Sequence, residues 1–119
     1  MTELTFPREL RLLTPSEFTP IFKQPIVAST PAFTFLAIKN DRDTPRLGLT
    51  IAKKRVKKAV ARNRIKRLIR ESFRNRQHQL PNIDVIVMAK NDTDKMSNEQ
   101  LFKFLDKQWK KLSQRCVTA

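Results

Sequence analysis

Apolar residues along this chain change their spacing several times, and each change marks an element. Phe18, Ile21 and Phe22 stand at i, i+3 and i+4, which places them on one face of a short helix. Thr14-Pro15-Ser16-Glu17 reads as its capping box, with Thr14 as N-cap, Pro15 at the first helical position and Glu17 reaching back. Leu13 and Phe18 occupy hydrophobic-staple positions, and Pro25 ends the helix. The period then falls to two. Residues 26–29 form a short strand candidate. In 32–39, Phe33 and Phe35 face one way and Leu36 and Ile38 the other, so both faces are apolar and the strand is predicted to be central. Asn40-Asp41-Arg42-Asp43-Thr44-Pro45 is a turn. In 46–52, Leu47, Leu49 and Ile51 alternate with Gly48, Thr50 and Ala52, leaving one small-sided face around the only glycine.

Helical spacing returns over 57–76. Ala61, Ile65, Leu68, Ile69, Ser72 and Phe73 share one stripe, while Asn63, Arg67, Arg70 and Arg74 gather on the opposite side. Arg62 flanks the stripe on one edge and Arg64 on the other. Ile83 to Ala89 is a near-continuous apolar run and reads as a buried strand. Ser97-Asn98-Glu99-Gln100 is a second capping box, opening a last helix with Leu101, Phe104, Leu105, Trp109 and Leu112 inward. The expected fold is one domain over residues 1–119. It is an α/β (α+β) two-layer sandwich of about four strands and three helices, in the order α-β-β-β-α-β-α.

Composition adds a partner to this fold. The 119 residues carry 25 Lys and Arg against 11 acids, a net charge of +14. Twelve of the cations and one acid lie in residues 53–76, so this segment holds +11 and the other 95 residues only +3. Solvated helix faces alternate in sign, and this one does not. A nearly all-positive helix neutralises phosphates and releases their counterions. No apolar run approaches the roughly 18 residues needed to span a membrane, and the N-terminus lacks a signal-peptide pattern. A lone cysteine, Cys116, and a lone histidine, His78, supply neither a disulfide nor a zinc cluster, and the cytoplasm is the natural compartment. Cys116 is expected to be inert, and His78 to lie on the surface at a helix end.

The basic segment runs Lys53-Lys54-Arg55-Val56-Lys57-Lys58-Ala59-Val60-Ala61-Arg62-Asn63-Arg64-Ile65-Lys66-Arg67. Its Arg62-Asn63-Arg64 core, with Lys-Lys and Lys-Ala-Val before it and Lys-Arg after it, resembles the central motif of the bacterial ribonuclease P protein family. Further blocks resemble the same family in the same order. These are Phe6-Pro7-Arg8-Glu9-Leu10-Arg11-Leu12-Leu13 with Phe18 and Phe22, then Arg46-Leu47-Gly48-Leu49-Thr50, then Asp84-Val85-Ile86-Val87. The resemblance covers roughly residues 6–112. Lys57 departs from it, standing where many members have glycine.

The resemblance implies a protein subunit of a ribonucleoprotein endonuclease that removes the 5′ leader of precursor tRNA. Hydrolysis then belongs to a catalytic RNA using bound Mg²⁺, and the protein binds no cofactor on its own. By position, Phe18, Phe22, Lys53, Lys54 and Lys58 match leader-binding residues. Arg62, Asn63, Arg64, Lys66, Arg67 and Arg70 match the motif that faces the catalytic RNA. The resemblance also implies a left-handed strand–helix–strand crossover around the basic helix, against the general right-handed rule.

The residues alone leave alternatives. Phe18 and Phe22 serve either as staple and core or as a platform on which single-stranded bases stack. Phe33 and Phe35 are weaker stacking candidates, and Trp109 reads as core. A ribosomal or RNA-chaperone-type binding protein fits the composition equally well. An autonomous nuclease fits poorly, because no acid–base pair or metal cage is evident. A DNA-binding regulator lacks zinc-finger spacing and a helix-turn-helix partner.

Overall fold

The computed structural model of the chain describes residues 11–12 and 15–118. Three helices and four strands follow the expected order: α1 (Pro15–Lys23), β1 (Ile26–Ser29), β2 (Phe33–Lys39), β3 (Arg46–Thr50), α2 (Ala59–Arg76), β4 (Ile83–Ala89) and α3 (Asn98–Thr118). A 3-10 turn, Thr93–Lys95, precedes α3. The expected N-cap Thr14 and staple residue Leu13 lie outside the described residues, as does the block from Phe6 to Leu10.

The strands form one mixed sheet in the order β1-β2-β4-β3. β2 pairs antiparallel with both β1 and β4, with Leu36 opposite Ile86. β3 runs parallel to β4, with Gly48 opposite Ile86, so α2 connects two neighbouring parallel strands. β2 and β4 are central, as their two apolar faces require. Arg11 extends the sheet by a bridge to Leu47, and the Leu12 N–H donates to the Leu47 carbonyl at 2.9 Å.

Alternation along the strands creates two unequal cores. Phe33, Phe35, Leu47, Val85 and Val87 point to the face covered by α2 and α3. There they meet Ile65, Leu68, Ile69 and Phe73 of α2 and Leu101, Leu105, Trp109 and Leu112 of α3. Each such side chain contributes about 1.5–3 kcal/mol on full burial. This sheet with α2 and α3 is the two-layer sandwich. On the opposite face a smaller cluster of Leu12, Ile21, Leu36 and Ile86, joined by Phe18, Ile38 and Met88, seats α1 as a partial third layer. Phe33 and Phe35 are fully buried and belong to the main core, which removes them as stacking surfaces.

Trp109 lies at the centre, its ring centroid 4.5 Å from Phe35 and 5.9 Å from Phe73. Its indole N–H donates to Ser72 Oγ at 2.8 Å, so the polar member of the α2 stripe satisfies a buried donor. The second capping box forms as read. Gln100 N–H donates to Ser97 Oγ at 3.1 Å, and Ser97 N–H donates to Gln100 Oε1 at 3.0 Å. Asp92, with φ 68°, is the only non-glycine with a positive φ among the described residues, so Lys57 adopts a backbone that needs no glycine.

Candidate nucleic-acid interface

Two cationic surfaces emerge, on different faces. The first is a groove on the α1 side of the sheet. α1 covers the rows around Gly48 and Ile86 and leaves the next rows open. Thr34, Thr50 and Met88 floor that open part, and Pro31, Ala52, Lys54, Arg55, Lys90 and Asn91 complete the groove. Its floor is apolar or hydroxylic and its rim carries Lys54, Arg55 and Lys90. Lys90 Nζ donates to Ser29 Oγ at 2.6 Å, which fixes that cation against β1.

Phe18 and Phe22 sit one turn apart on α1, on the same side of the helix, and the structure separates their roles. Phe18 is half-buried and its ring lies directly on Gly48. Phe22 is 50% exposed. Ile21, between them in the chain, is fully buried and supplies the anchor. Phe22 is thus available to a ligand, while Phe18 is committed to holding α1 on the sheet.

Lys53, Lys54 and Lys58 are exposed on the segment that joins β3 to α2. That segment is a built structure. The N–H groups of Arg55 and Val56 donate to the Ala52 carbonyl at 3.0 and 3.1 Å, and the Val56 side chain is fully buried. Arg62 secures it from the helix side, donating from Nη1 to the carbonyls of Val56 at 3.0 Å and Lys57 at 2.8 Å. Arg64, on the other edge of the stripe, donates to Asn98 Oδ1 and to the carbonyls of Asp94 and Met96, both at 3.2 Å. The two arginines of the Arg-Asn-Arg sequence therefore brace α2 against the loops on either side. Their flanking positions were legible in the helical pattern; their carbonyl partners were not.

The second surface is the outer face of α2. Asn63, Arg67 and Arg70 line one concavity with Arg74, Glu71 and Arg11. Asn63, Arg67 and Arg70 are exposed, and Lys66 is half-buried nearer the apolar stripe. Glu71 is ion-paired with Arg74. The hydrogen bond from Arg74 holds the Glu71 carboxyl below its ordinary range, so the one acid of the segment stays ionised and orients a guanidinium. Arg11 arrives through its bridge to β3, a contact no local pattern announced. The N-cap Lys58 makes no side-chain cap and the first turn of α2 holds no acid, so the positive end of the helix dipole adds to the field.

Sequence reading missed a third feature, a buried charge network under α1. Arg46 is 9% exposed. Its Nε and Nη2 donate to Asp84 Oδ1 and Oδ2 at 2.8 and 2.6 Å, a bidentate pair, and its Nη1 donates to Glu17 Oε2 at 2.8 Å. Asn40 Nδ2 donates to Asp84 Oδ1 at 2.9 Å. The hydrogen bond to Asp84 raises Arg46 above its ordinary value, against desolvation and with help from Glu17. Period two places Arg46 and Asp84 on the α1 face of adjacent strands, and that was the available signal. Glu17 pairs with Arg46 across the layers, a contact the capping pattern did not announce; the capping partner Thr14 lies outside the described residues.

No group of three or more His, Cys, Asp or Glu side chains converges among the described residues. The two surfaces are dominated by ammonium and guanidinium groups, which suit phosphates. His78 is exposed, Cys116 is buried, and no helix among the described residues is long and apolar enough to cross a membrane.

The ribonuclease P family model matches residues 6–113. The chain is 59% identical over 116 residues to the ribonuclease P protein component of Pseudoalteromonas atlantica, covering 98% of this chain and 97% of that one. It is 58% identical to the component from Pseudoalteromonas translucida, again over 98% of this chain and over 83% of the relative. Among solved structures, the RNase P protein of Staphylococcus aureus superposes with a TM-score of 0.80 at 30% identity, over 85% of this chain and 93% of the other. That of Thermotoga maritima superposes with a TM-score of 0.76 at 28% identity, over 85% and 96%. The order of elements, the mixed sheet and the basic helix are thus shared as well as the sequence, and the chain belongs to the bacterial ribonuclease P protein family, as the protein subunit of the ribonucleoprotein that matures tRNA 5′ ends.

Proposed function

We propose that the two surfaces divide the RNA partners of this subunit. The groove beside α1 takes the single-stranded 5′ leader of precursor tRNA, and the outer face of α2 takes the catalytic RNA. The observation that carries this division is the contrast in their chemistry. The groove sets a floor of Thr34, Thr50 and Met88 beneath a cationic rim, and α1, packed on the same face of the sheet, exposes Phe22 outside the groove lining; together they suit unpaired bases and a tracking backbone. The α2 face presents arginines around Asn63 and no exposed aromatic, which suits folded RNA read through its phosphates. Lys53, Lys54 and Lys58 serve the leader side. Arg67, Arg70 and Asn63 serve the catalytic-RNA side, with Arg62, Arg64 and Lys66 holding and extending that helix.

In this reading the Mg²⁺ needed for cleavage is held by the RNA. The protein raises productive binding and leaves hydrolysis to the RNA. A cytoplasmic location follows from these RNA partners and from the lone cysteine. The relatives and structural neighbours favour this reading over a ribosomal or chaperone-type role.

Phe22→Ala tests the division. Phe22 is half exposed, so the variant should keep its melting temperature. It should lose affinity for leader-bearing precursor by roughly 1–3 kcal/mol per stacked base and bind mature tRNA as before. Equal weakening for both RNAs would remove Phe22 from the leader site.

A further inference from the structure

We propose that Glu17, Arg46 and Asp84 are positioning residues for leader binding, because the buried network they form sets where α1 sits beside the groove. This rests on the groove being the leader site. α1 has nine residues and an internal proline, Pro20, so it is too short to persist without tertiary contacts. Its apolar seat is small, with Ile21 and Phe18 resting on Leu12, Leu36 and Ile86. Such contacts are non-directional, and the surface under Phe18 is a glycine, which offers no side chain to lock the ring along the strand. Direction comes from the network. Asp84 fixes the plane of the Arg46 guanidinium by two parallel hydrogen bonds, and Asn40 fixes Asp84 in turn. The remaining arm of Arg46 then reaches across the layers to one oxygen of Glu17. Glu17 precedes Phe18 directly and stands little more than one turn before Phe22. A helix pinned at Glu17 has its aromatic edge pinned as well.

The charge change separates this role from plain electrostatics. Removing the carboxylate of Glu17 makes the protein more positive, which by itself tightens binding to RNA. A positioning role predicts the opposite sign. Glu17→Gln keeps the size of the side chain and an acceptor oxygen, and Glu17 is partly exposed, so the variant should fold. Holoenzyme reconstituted with Glu17→Gln should show a KM for leader-bearing precursor raised about fivefold. The kcat at saturation and the affinity for mature tRNA should be unchanged. In a Phe22→Ala background the same substitution should add little, because the aromatic edge it positions is already gone. Circular dichroism and melting temperature report folding separately, and Glu17→Ala gives the same comparison with the acceptor removed. Unchanged or tighter precursor binding by Glu17→Gln, or full additivity with Phe22→Ala, overturns the proposal. If Phe22→Ala leaves leader affinity intact, the groove reading fails and the network's role falls with it. If Phe22→Ala loses that affinity and Glu17→Gln does not, the groove stands and only the network is wrong.

Discussion

The ring tip of Phe18 stands where a side chain at position 48 would begin. A Cβ on Gly48 would lie 2.7 Å from Phe18 Cζ and 3.2 Å from Leu12 Cβ. The single glycine of the chain is therefore a docking surface for α1, and its backbone conformation is ordinary. Gly48→Ala should overpack this seat and destabilise the fold by about 1–3 kcal/mol. Adding Phe18→Leu, which withdraws the ring, should recover part of the loss. Urea unfolding of the single and double variants measures both, and wild-type stability for Gly48→Ala would show that the ring yields freely.

Ser72→Ala should act on the core alone. It leaves the buried indole N–H of Trp109 without its acceptor, which costs about 1–3 kcal/mol. Trp109 is the only tryptophan, so its fluorescence follows the unfolding directly. RNA affinity of the folded protein should not change.

The arginines of α2 should fall into two classes. Arg67 and Arg70 are exposed on the outer face, so Arg67→Ala with Arg70→Ala should preserve the melting temperature. The slope of log affinity against log salt should become shallower by roughly 1–1.5 if both meet phosphates. Arg62→Ala should instead lower stability by about 1–3 kcal/mol, because two carbonyls of the β3–α2 segment lose their donor. It should also speed proteolysis after Lys53 and Lys54. A salt slope unchanged in the double variant would return the outer face to mere solvation.

Cys116 should report on folding and on pH. Burial pushes its thiol above the ordinary value, with a small opposing pull from Lys39. The folded state therefore binds its proton more tightly than the unfolded state does. That contribution is fully present below the unfolded value of about 8.5 and is lost as pH rises through the folded one. Alkylation of native protein by iodoacetamide at pH 8 should be slow and should accelerate with denaturant along the unfolding curve. Fast labelling of native protein would contradict the burial.

Much of this was legible in the order of residues. Alternation assigned both faces of β2 correctly, and the 3.6-residue period found the buried stripe of α2 and its opposite cationic face. The Ser97–Gln100 box marked the start of α3 to the residue. What was not legible depends on contacts between distant segments. No local rule brings Glu17 to Arg46, or Arg11 to the face of Asn63. The pattern put α2 two residues too early at Lys57, because cations were read as helix there. Arg62 holds the Val56 and Lys57 carbonyls outside the helix instead. The two readings of Phe18 and Phe22 were separable only when the sheet showed that one ring meets Gly48 and the other meets solvent.

The place of β4 between β2 and β3 carries a consequence for how the chain acquires its structure. Neither half of the sheet can join the other until β4 arrives, and β4 follows α2 in the chain. Arg46 meets Asp84 and Phe33 meets Ala89 only by closing long loops, so the sheet forms late and slowly. The loop that must close carries the +11 segment, whose mutual repulsion works against closure. Counterions held by that segment before β4 docks relieve the repulsion in the transition state. Sulfate or a short oligonucleotide should therefore quicken refolding as well as slow unfolding, and stopped-flow fluorescence of Trp109 would resolve the two limbs.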